Sequence, residues 1–288
     1  AGRLIITTIV GTFDATNYLQ VAAATKATST SLATQITLLP GGRYEIIAHN
    51  FFASLDRKRL YGSDGVNRGF EFDGETYVPI NTNMVTDTPE YVYGHKKQLF
   101  FSFKGSSQNS GIGEPYQFTA ITGASEIGIG DDITGYIKLP GKALAINSRN
   151  SSNQLLGSSV SDYVLDDISD ETGGLPRTIQ RIGHAYCLDD RGVIKIQATD
   201  KYGNFTIDTI SRKIQPVIDN LVKVVIASSV YRKKNQYRLY GSDGSGLCMT
   251  ALLKGFAFTQ FQYPDNVACT VSGEDANGRE IIFFGSDQ

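Results

Sequence analysis

Arg59-Leu60-Tyr61-Gly62-Ser63-Asp64 returns as Arg238-Leu239-Tyr240-Gly241-Ser242-Asp243, and again near the C-terminus as Ile282-Phe283-Phe284-Gly285-Ser286-Asp287. Gly241 and Gly285 are 44 residues apart, and Gly62 and Gly241 are 179 apart, close to four such periods. Weaker copies fill the interval: Phe103-Lys104-Gly105-Ser106-Ser107, Leu155-Leu156-Gly157-Ser158-Ser159 and Ile196-Gln197-Ala198-Thr199-Asp200. The small residues at 62, 105, 157, 198, 241 and 285 are separated by steps of 43, 52, 41, 43 and 44.

What precedes each copy also repeats: an apolar strand, a polar turn, then the strand that ends in the phrase. Residues 45–51 lead through Asp56-Arg57-Lys58, residues 91–93 through His95-Lys96-Lys97, and residues 143–146 through Arg149 to Asn153. Residues 184–188 lead through Asp189 to Gly192, residues 224–231 through Arg232 to Asn235, and residues 267–271 through Asp275 to Gly278. Asn-Gly and Arg-Gly pairs suit turns that need positive φ. In the Gly-Ser-Asp turn the Asp side chain is placed to bond nearby backbone. A repeat of about 40 to 50 residues made of strands and turns points to propeller blades of about four strands each.

The spacing therefore predicts an all-β fold: a β-propeller of about six blades of four antiparallel strands, the last blade shared between the termini. Residues 1–42 would complete that blade, with strands at Leu4–Val10 and Gln35–Leu39 and an Ala/Thr/Ser-rich loop from Asp14 to Ser31. Residues 43–288 would carry the repeats. First strands lie innermost in this reading, with Ile46, Ala145, Ala185, Val225 and Ala268 near the centre. The 52-residue step predicts an insertion around Gly111–Asp132, the first place to look for an assembly loop. Helical periodicity is weak, and its best candidate is Ile214–Val222.

Composition agrees. The 288 residues include 15 Tyr, 15 Phe and 30 Gly, a mix that favours strands and tight turns. Hydrophobic residues make up 41%, enough for a sizeable core. A net charge of −2 argues against a protein built mainly to grip nucleic acid. No apolar run reaches the roughly 20 residues of a membrane-spanning helix. The three cysteines, Cys187, Cys248 and Cys269, fit neither a disulfide framework nor a zinc cluster. They read as buried thiols of a protein folded in a reducing cytosol. A chain that begins at Ala1 points to processing or to excision from something longer.

Several longer stretches are more specific. His49-Asn50-Phe51 is followed by Leu60-Tyr61-Gly62 and by Gly69-Phe70-Glu71-Phe72-Asp73-Gly74. His95-Lys96-Lys97-Gln98-Leu99-Phe100-Phe101-Ser102-Phe103 and Ser110-Gly111-Ile112-Gly113-Glu114-Pro115 come next. Then follow Leu144-Ala145-Ile146-Asn147-Ser148-Arg149, Gln180-Arg181-Ile182-Gly183 and the closing Ile281–Gln288. As an ordered series, over residues 43 to 288, these resemble tail proteins of tailed phages, of the tail-nozzle or tail-hub "stabilisation protein" kind. The resemblance implies a ring-forming structural component that retains the genome and later conducts it out. Its partners would be other tail proteins and further copies of itself, with DNA passing nearby without specific binding. It would be assembled in the host cytoplasm and reside in the virion tail. Members of that class are usually longer, so this chain corresponds to a domain or to a shorter tail-tip relative.

Chemical motifs are sparse. Asp131-Asp132, Asp166-Asp167 and Asp189-Asp190 read as solvated turns rather than a converging acid–base pair. Ser63-Asp64-Gly65 resembles the Asp-box turn of sialidase propellers but lacks its spacing and its terminal Trp. His49, His95 and His184 fall in different repeats, near the first strand, and read against a zinc site, with His49 and His184 as ordinary inner-strand residues. Gly123–Gly130 lacks the Lys of a phosphate-binding loop. The sequence thus predicts no enzyme and no catalytic, cofactor or metal residue. Its interaction candidates are the basic turn tips Arg57, Lys58 and Arg59, Lys96 and Lys97, and Arg232, Lys233 and Lys234, which should share one face of the disc. The alternative function is a receptor- or carbohydrate-binding propeller at the tail tip, and after it a glycan-cleaving enzyme.

Overall fold

The structure is a computed structural model that describes residues 18–21, 24–28, 35–52, 58–198 and 205–286. A hairpin of β1 (Tyr18–Val21) and β2 (Ala24–Thr28) comes first. Five four-stranded antiparallel sheets follow in chain order. Blade 1 holds β3 (Glu45–His49), β4 (Arg59–Ser63), β5 (Phe70–Phe72) and β6 (Tyr77–Pro79). Blade 2 holds β7 (Val92–His95), β8 (Gln98–Phe103), β9 (Ser106–Asn109) and β10 (Ser125–Gly128). Blade 3 holds β11 (Ile133–Lys138), β12 (Leu144–Ser148), β13 (Ser152–Leu156) and β14 (Val164–Ser169). Blade 4 holds β15 (Gln180–Ile182), β16 (His184–Asp189), β17 (Gly192–Ala198) and β18 (Phe205–Thr209). Blade 5 holds β19 (Val225–Tyr231), β20 (Gln236–Gly241), β21 (Ser245–Ala251) and β22 (Phe256–Gln262). Among the described residues the last sheet has two strands, β23 (Cys269–Glu274) and β24 (Glu280–Gly285). First strands of successive sheets touch one another, from β3 through β7, β11, β15 and β19 to β23, and so surround a common axis.

Strand alternation explains the packing. In β8, Leu99 and Phe101 face blade 1, joining Tyr61 and Ile80, while Phe100 faces blade 3, joining Tyr136 and Ile146. Strands buried on both faces read as nearly continuous apolar runs rather than alternating ones, as Leu99-Phe100-Phe101 does. The cores continue around the ring. Leu139, Ala145, Ala185 and Ile196 pack blade 3 against blade 4. Tyr186, Leu188, Tyr237 and Leu247 join blade 4 to blade 5, with Ile218 and Leu221 of the helix α1 (Gln215–Leu221). Ala227, Tyr240 and Val267 join blade 5 to the last sheet.

The sequence reading needs several corrections. Among the described residues five blades are complete rather than about six, and the sixth repeat forms a two-stranded sheet. Among the described residues β1 pairs with β2 and not with β24. Leu4–Val10 lies outside the described residues, and Gln35–Leu39 forms no strand. Part of Asp14–Ser31 is a hairpin rather than a loop. In blades 3 and 4 the repeated phrase falls on the third strand, β13 and β17, instead of the second. Ala145 and Ala185 accordingly sit on second strands, buried between blades and not innermost. When second strands are aligned, the 52-residue step moves to the interval from Asp189 to Gly241, where α1 intervenes. Gly111–Asp132 is therefore no insertion. It carries β10 and the buried Phe118, ordinary parts of blade 2.

Candidate functional site

Each innermost strand begins on one face of the disc, the front, and ends on the other, the back. At the front, residues from four blades meet at the axis. Arg177, in the loop before β15, holds a left-handed backbone (φ 60°). Its Nε donates to Glu45 Oε1 at 3.1 Å, at the start of β3. A second guanidinium nitrogen lies 3.6 Å from Glu90, just before β7. The guanidinium also sits 5.5 Å from the centre of the Tyr91 ring, a cation–π geometry. The Arg177 carbonyl accepts from Ser228 Oγ of β19 at 2.7 Å, and Gln180 and Thr270 both donate to the Ser228 carbonyl. Burial raises the Glu45 carboxyl above its ordinary range, and Arg177, then Arg43, pull it back. Burial and the nearby Arg177 charge lower the Arg43 guanidinium. A single side chain thus ties blades 1, 2 and 4 across the axis. That span is far too small for a nucleic-acid duplex, whose major groove alone is about 12 Å wide.

The Gly-Ser-Asp turns form the rest of this face in blades 1 and 5. Asp64 Oδ1 accepts from the backbone of Val66 and Asn67. Asp243 does the same for Ser245, whose bonds lower its carboxyl pKa. A Cβ at Gly62 would run into the Phe70 ring, and one at Gly241 would come within 2.6 Å of Asp243 Oδ1. Close packing is why these positions are glycine.

Among the described residues the basic tips occupy the turns that follow innermost strands in blades 1, 2 and 5, on the back face. Arg57 lies outside the described residues. Lys58 and Lys97 are exposed, whereas Arg59 Nε sits 3.8 Å from Glu71. Lys96 and Lys97 both have positive φ, which builds the tight β7–β8 turn. Lys96 Nζ donates to the Gly157 carbonyl of blade 3. Backbone amides of Arg232 and Lys233 cap the Glu280 carboxylate, and Lys234 lies over the Tyr231 ring. Blades 3 and 4 do not extend the pattern in register: Arg149 and Asp189–Arg191 follow second strands and so sit on the front face.

The carboxylate pairs are engaged separately. Asp190 takes two bonds from Arg149, Asp189 pairs with Arg191 at 3.0 Å, Asp131 accepts the Asn150 amide, and Asp166 accepts from Gln154. Among the described residues no three His, Cys, Asp or Glu side chains come together as a metal site. His95 is buried, which, with Lys96 and Lys138 nearby, lowers its imidazole to about 4. His49 packs beside Phe51, two residues further along the chain, with ring centres 4.2 Å apart and planes tilted by 51°. Burial pushes the Cys187 thiol up to about 12. Cys248 is buried too, but Cys269 is exposed, contrary to the reading of three buried thiols. Sequence reasoning missed Arg177, because its only signal is a Gly-Gly-Leu-Pro-Arg loop. It also missed an open groove of about 880 Å³ between α1 and blade 5, lined by Val217, Leu247 and Phe261 among others.

No family model matches the chain, and no curated protein matches it. Solved structures do. Virginiamycin B lyase from Staphylococcus aureus superposes with a TM-score of 0.53 at 9% identity, covering 84% of this chain and 88% of the lyase. The chain has the propeller fold. BBS1N, solved in complex with ARL6DN, matches with a TM-score of 0.54 at 11% identity, covering 84% of this chain and 74% of its own. Identities this low carry the likeness of architecture alone.

Proposed function

We propose that the chain is a non-catalytic structural propeller of a phage tail, of nozzle or hub type, acting as one subunit of a homo-oligomeric ring. The observation that carries this reading is the axial tie. A propeller that acts on a ligand at its axis needs unsatisfied, convergent polar groups there. Here Arg177, Glu45, Glu90 and Ser228 satisfy one another, as suits a rigid block. The ordered motif series from His49 to Gln288 supports the tail assignment. In this reading DNA passes through the opening between subunits, not through the propeller's own axis. The back-face lysines Lys58, Lys97 and Lys233 meet an acidic neighbouring subunit.

Protein mass spectrometry of purified tailed particles tests the proposal. The chain should be present at a fixed multiple per particle and stay bound through high-salt washing. Its absence from particles, or cleavage of host polysaccharide by the purified chain, overturns it. Binding on a glycan array would favour the receptor-binding alternative instead.

A further inference from the structure

On the back face, the corner where blades 2 and 3 meet collects hydrogen-bond donors and positive charge around one buried imidazole. His95, at the end of β7, is 3% exposed, and its Nε2 has no hydrogen-bond partner among the described residues. The ring packs edge-on against Phe100, with ring centres 6.1 Å apart. Lys96, next in the chain, turns back with φ 46° and reaches blade 3, where its Nζ donates to the Gly157 carbonyl. An ammonium group has three protons to give, so that bond leaves Lys96 with donors to spare. Lys138, at the end of β11, enters the same corner from blade 3. Its backbone amide donates to Tyr93 Oη at 3.1 Å, two residues before His95, and the residue is exposed. Both charges that act on the His95 ring, those of Lys96 and Lys138, are positive. Neighbouring polar groups are engaged elsewhere: Tyr163 Oη donates to Gln98 Oε1, and the Asp162 carboxylate accepts from the amides and hydroxyls of Ser158 and Ser159. A buried polar nitrogen left unpaired costs stability, and like charges beside it add to that cost. A negatively charged acceptor offsets both.

We propose that this corner binds a compact tetrahedral dianion of the sulfate or phosphate kind, held through the ammonium groups of Lys96 and Lys138 and an N–H of the His95 ring. Charge sets the class, since two ammonium groups balance a dianion. Lysine acts on such an oxyanion as a point charge, without the planar fork by which arginine selects a flat carboxylate. Donor chemistry agrees: the ammonium protons and the single proton of a neutral imidazole all need acceptors, and every oxygen of the dianion is one. Two blades contribute, so an occupant would also pin the end of β11 to the β7–β8 turn. The residues involved are not the exposed tips assigned to a neighbouring subunit, and the inference is independent of the tail assignment.

Ring-nitrogen NMR of the three histidines in the full chain provides the test, with His95→Gln to assign the His95 signal. Sulfate is the probe, because it stays a dianion while the imidazole titrates, and sodium chloride holds the ionic strength constant. Sulfate should move the His95 signal along a saturable curve while His49 and His184 stay in place. At saturation the proton affinity of His95 should rise at least about tenfold, because a bound dianion favours imidazolium. Lys138→Met, at an exposed position, should keep the native His49 and His184 signals and weaken sulfate binding at least about tenfold. Lys254→Met, an exposed lysine in the β21–β22 turn of blade 5, should bind sulfate as the native chain does. No saturable shift at His95, equal shifts at all three histidines, or native affinity in Lys138→Met overturns the proposal. So does a loss in Lys254→Met as large as in Lys138→Met, because sulfate would then be screening general surface charge.

Discussion

Replacing Arg177 by Met removes the charge from the axis while keeping most of the side chain's bulk. Arg177 is 16% exposed, and its partners Glu45 and Glu90 are 35% and 42% exposed. Breaking a fully buried pair costs about 3–5 kcal/mol. Solvent reaches both glutamates here, so the expected loss is nearer 2 kcal/mol at neutral pH. For a chain of this size that is a fall of roughly 4–8 °C in Tm. The pH dependence carries the diagnosis. Burial raises the folded Glu45 carboxyl, and Arg177 opposes the rise. Without Arg177 the folded pKa climbs further above the unfolded value near 4.3. The protonated form then folds best, and stability is lost as pH rises from that value through the folded pKa. Urea unfolding of Arg177→Met should therefore show its full deficit at pH 7.5 and less than about 1 kcal/mol at pH 4. A deficit equal at both pH values, or a variant as stable as the native chain at pH 7.5, would refute the axial tie.

The remaining expectations follow from the same geometry. His95 is held at about 4 in the fold, below its unfolded value near 6.5, so stability should fall by up to roughly 3 kcal/mol as pH drops from 6.5 toward 4. Urea midpoints for the native chain and His95→Gln should converge over that window. Leu99→Ala, at a fully buried core position between blades 1 and 2, should cost about 2–5 kcal/mol by denaturant unfolding. Deleting residues 111–128 removes β10 and Phe118 and should leave no cooperative melting transition, whereas an assembly loop would be dispensable. Charge reversal of Lys58, Lys97 and Lys233 together should leave Tm within about 2 °C while lowering incorporation into particles.

Much of this architecture could be read from the chain because blades repeat the same physical problem. Gly62 and Gly241 mark second-strand ends where a Cβ collides, and Asp64 and Asp243 close the turns that follow. The register error in blades 3 and 4 has a physical source. The third strands β13 and β17 run into the small residues Gly157 and Ala198, so Leu155-Leu156-Gly157 on β13 looks like a second-strand ending. The helix Gln215–Leu221 falls within Ile214–Val222, the best helical candidate of a sequence whose helical periodicity is weak, and nothing in that stretch marks it as the source of the long step. The axial tie was invisible, because Arg177 meets Glu45 and Glu90 only once the ring brings blade 4 opposite blades 1 and 2. The described parts of the basic tips, at Lys58, Lys96-Lys97 and Arg232–Lys234, lie in turns that follow innermost strands and so emerge on one side of the disc.

Cryo-electron microscopy of the intact particle tests the central claim most directly. The account predicts a ring of propeller discs in the tail, each disc axis set beside the tail channel and plugged by density at Arg177. A tail map without propeller density, or one in which DNA threads a disc along its own axis, would contradict it.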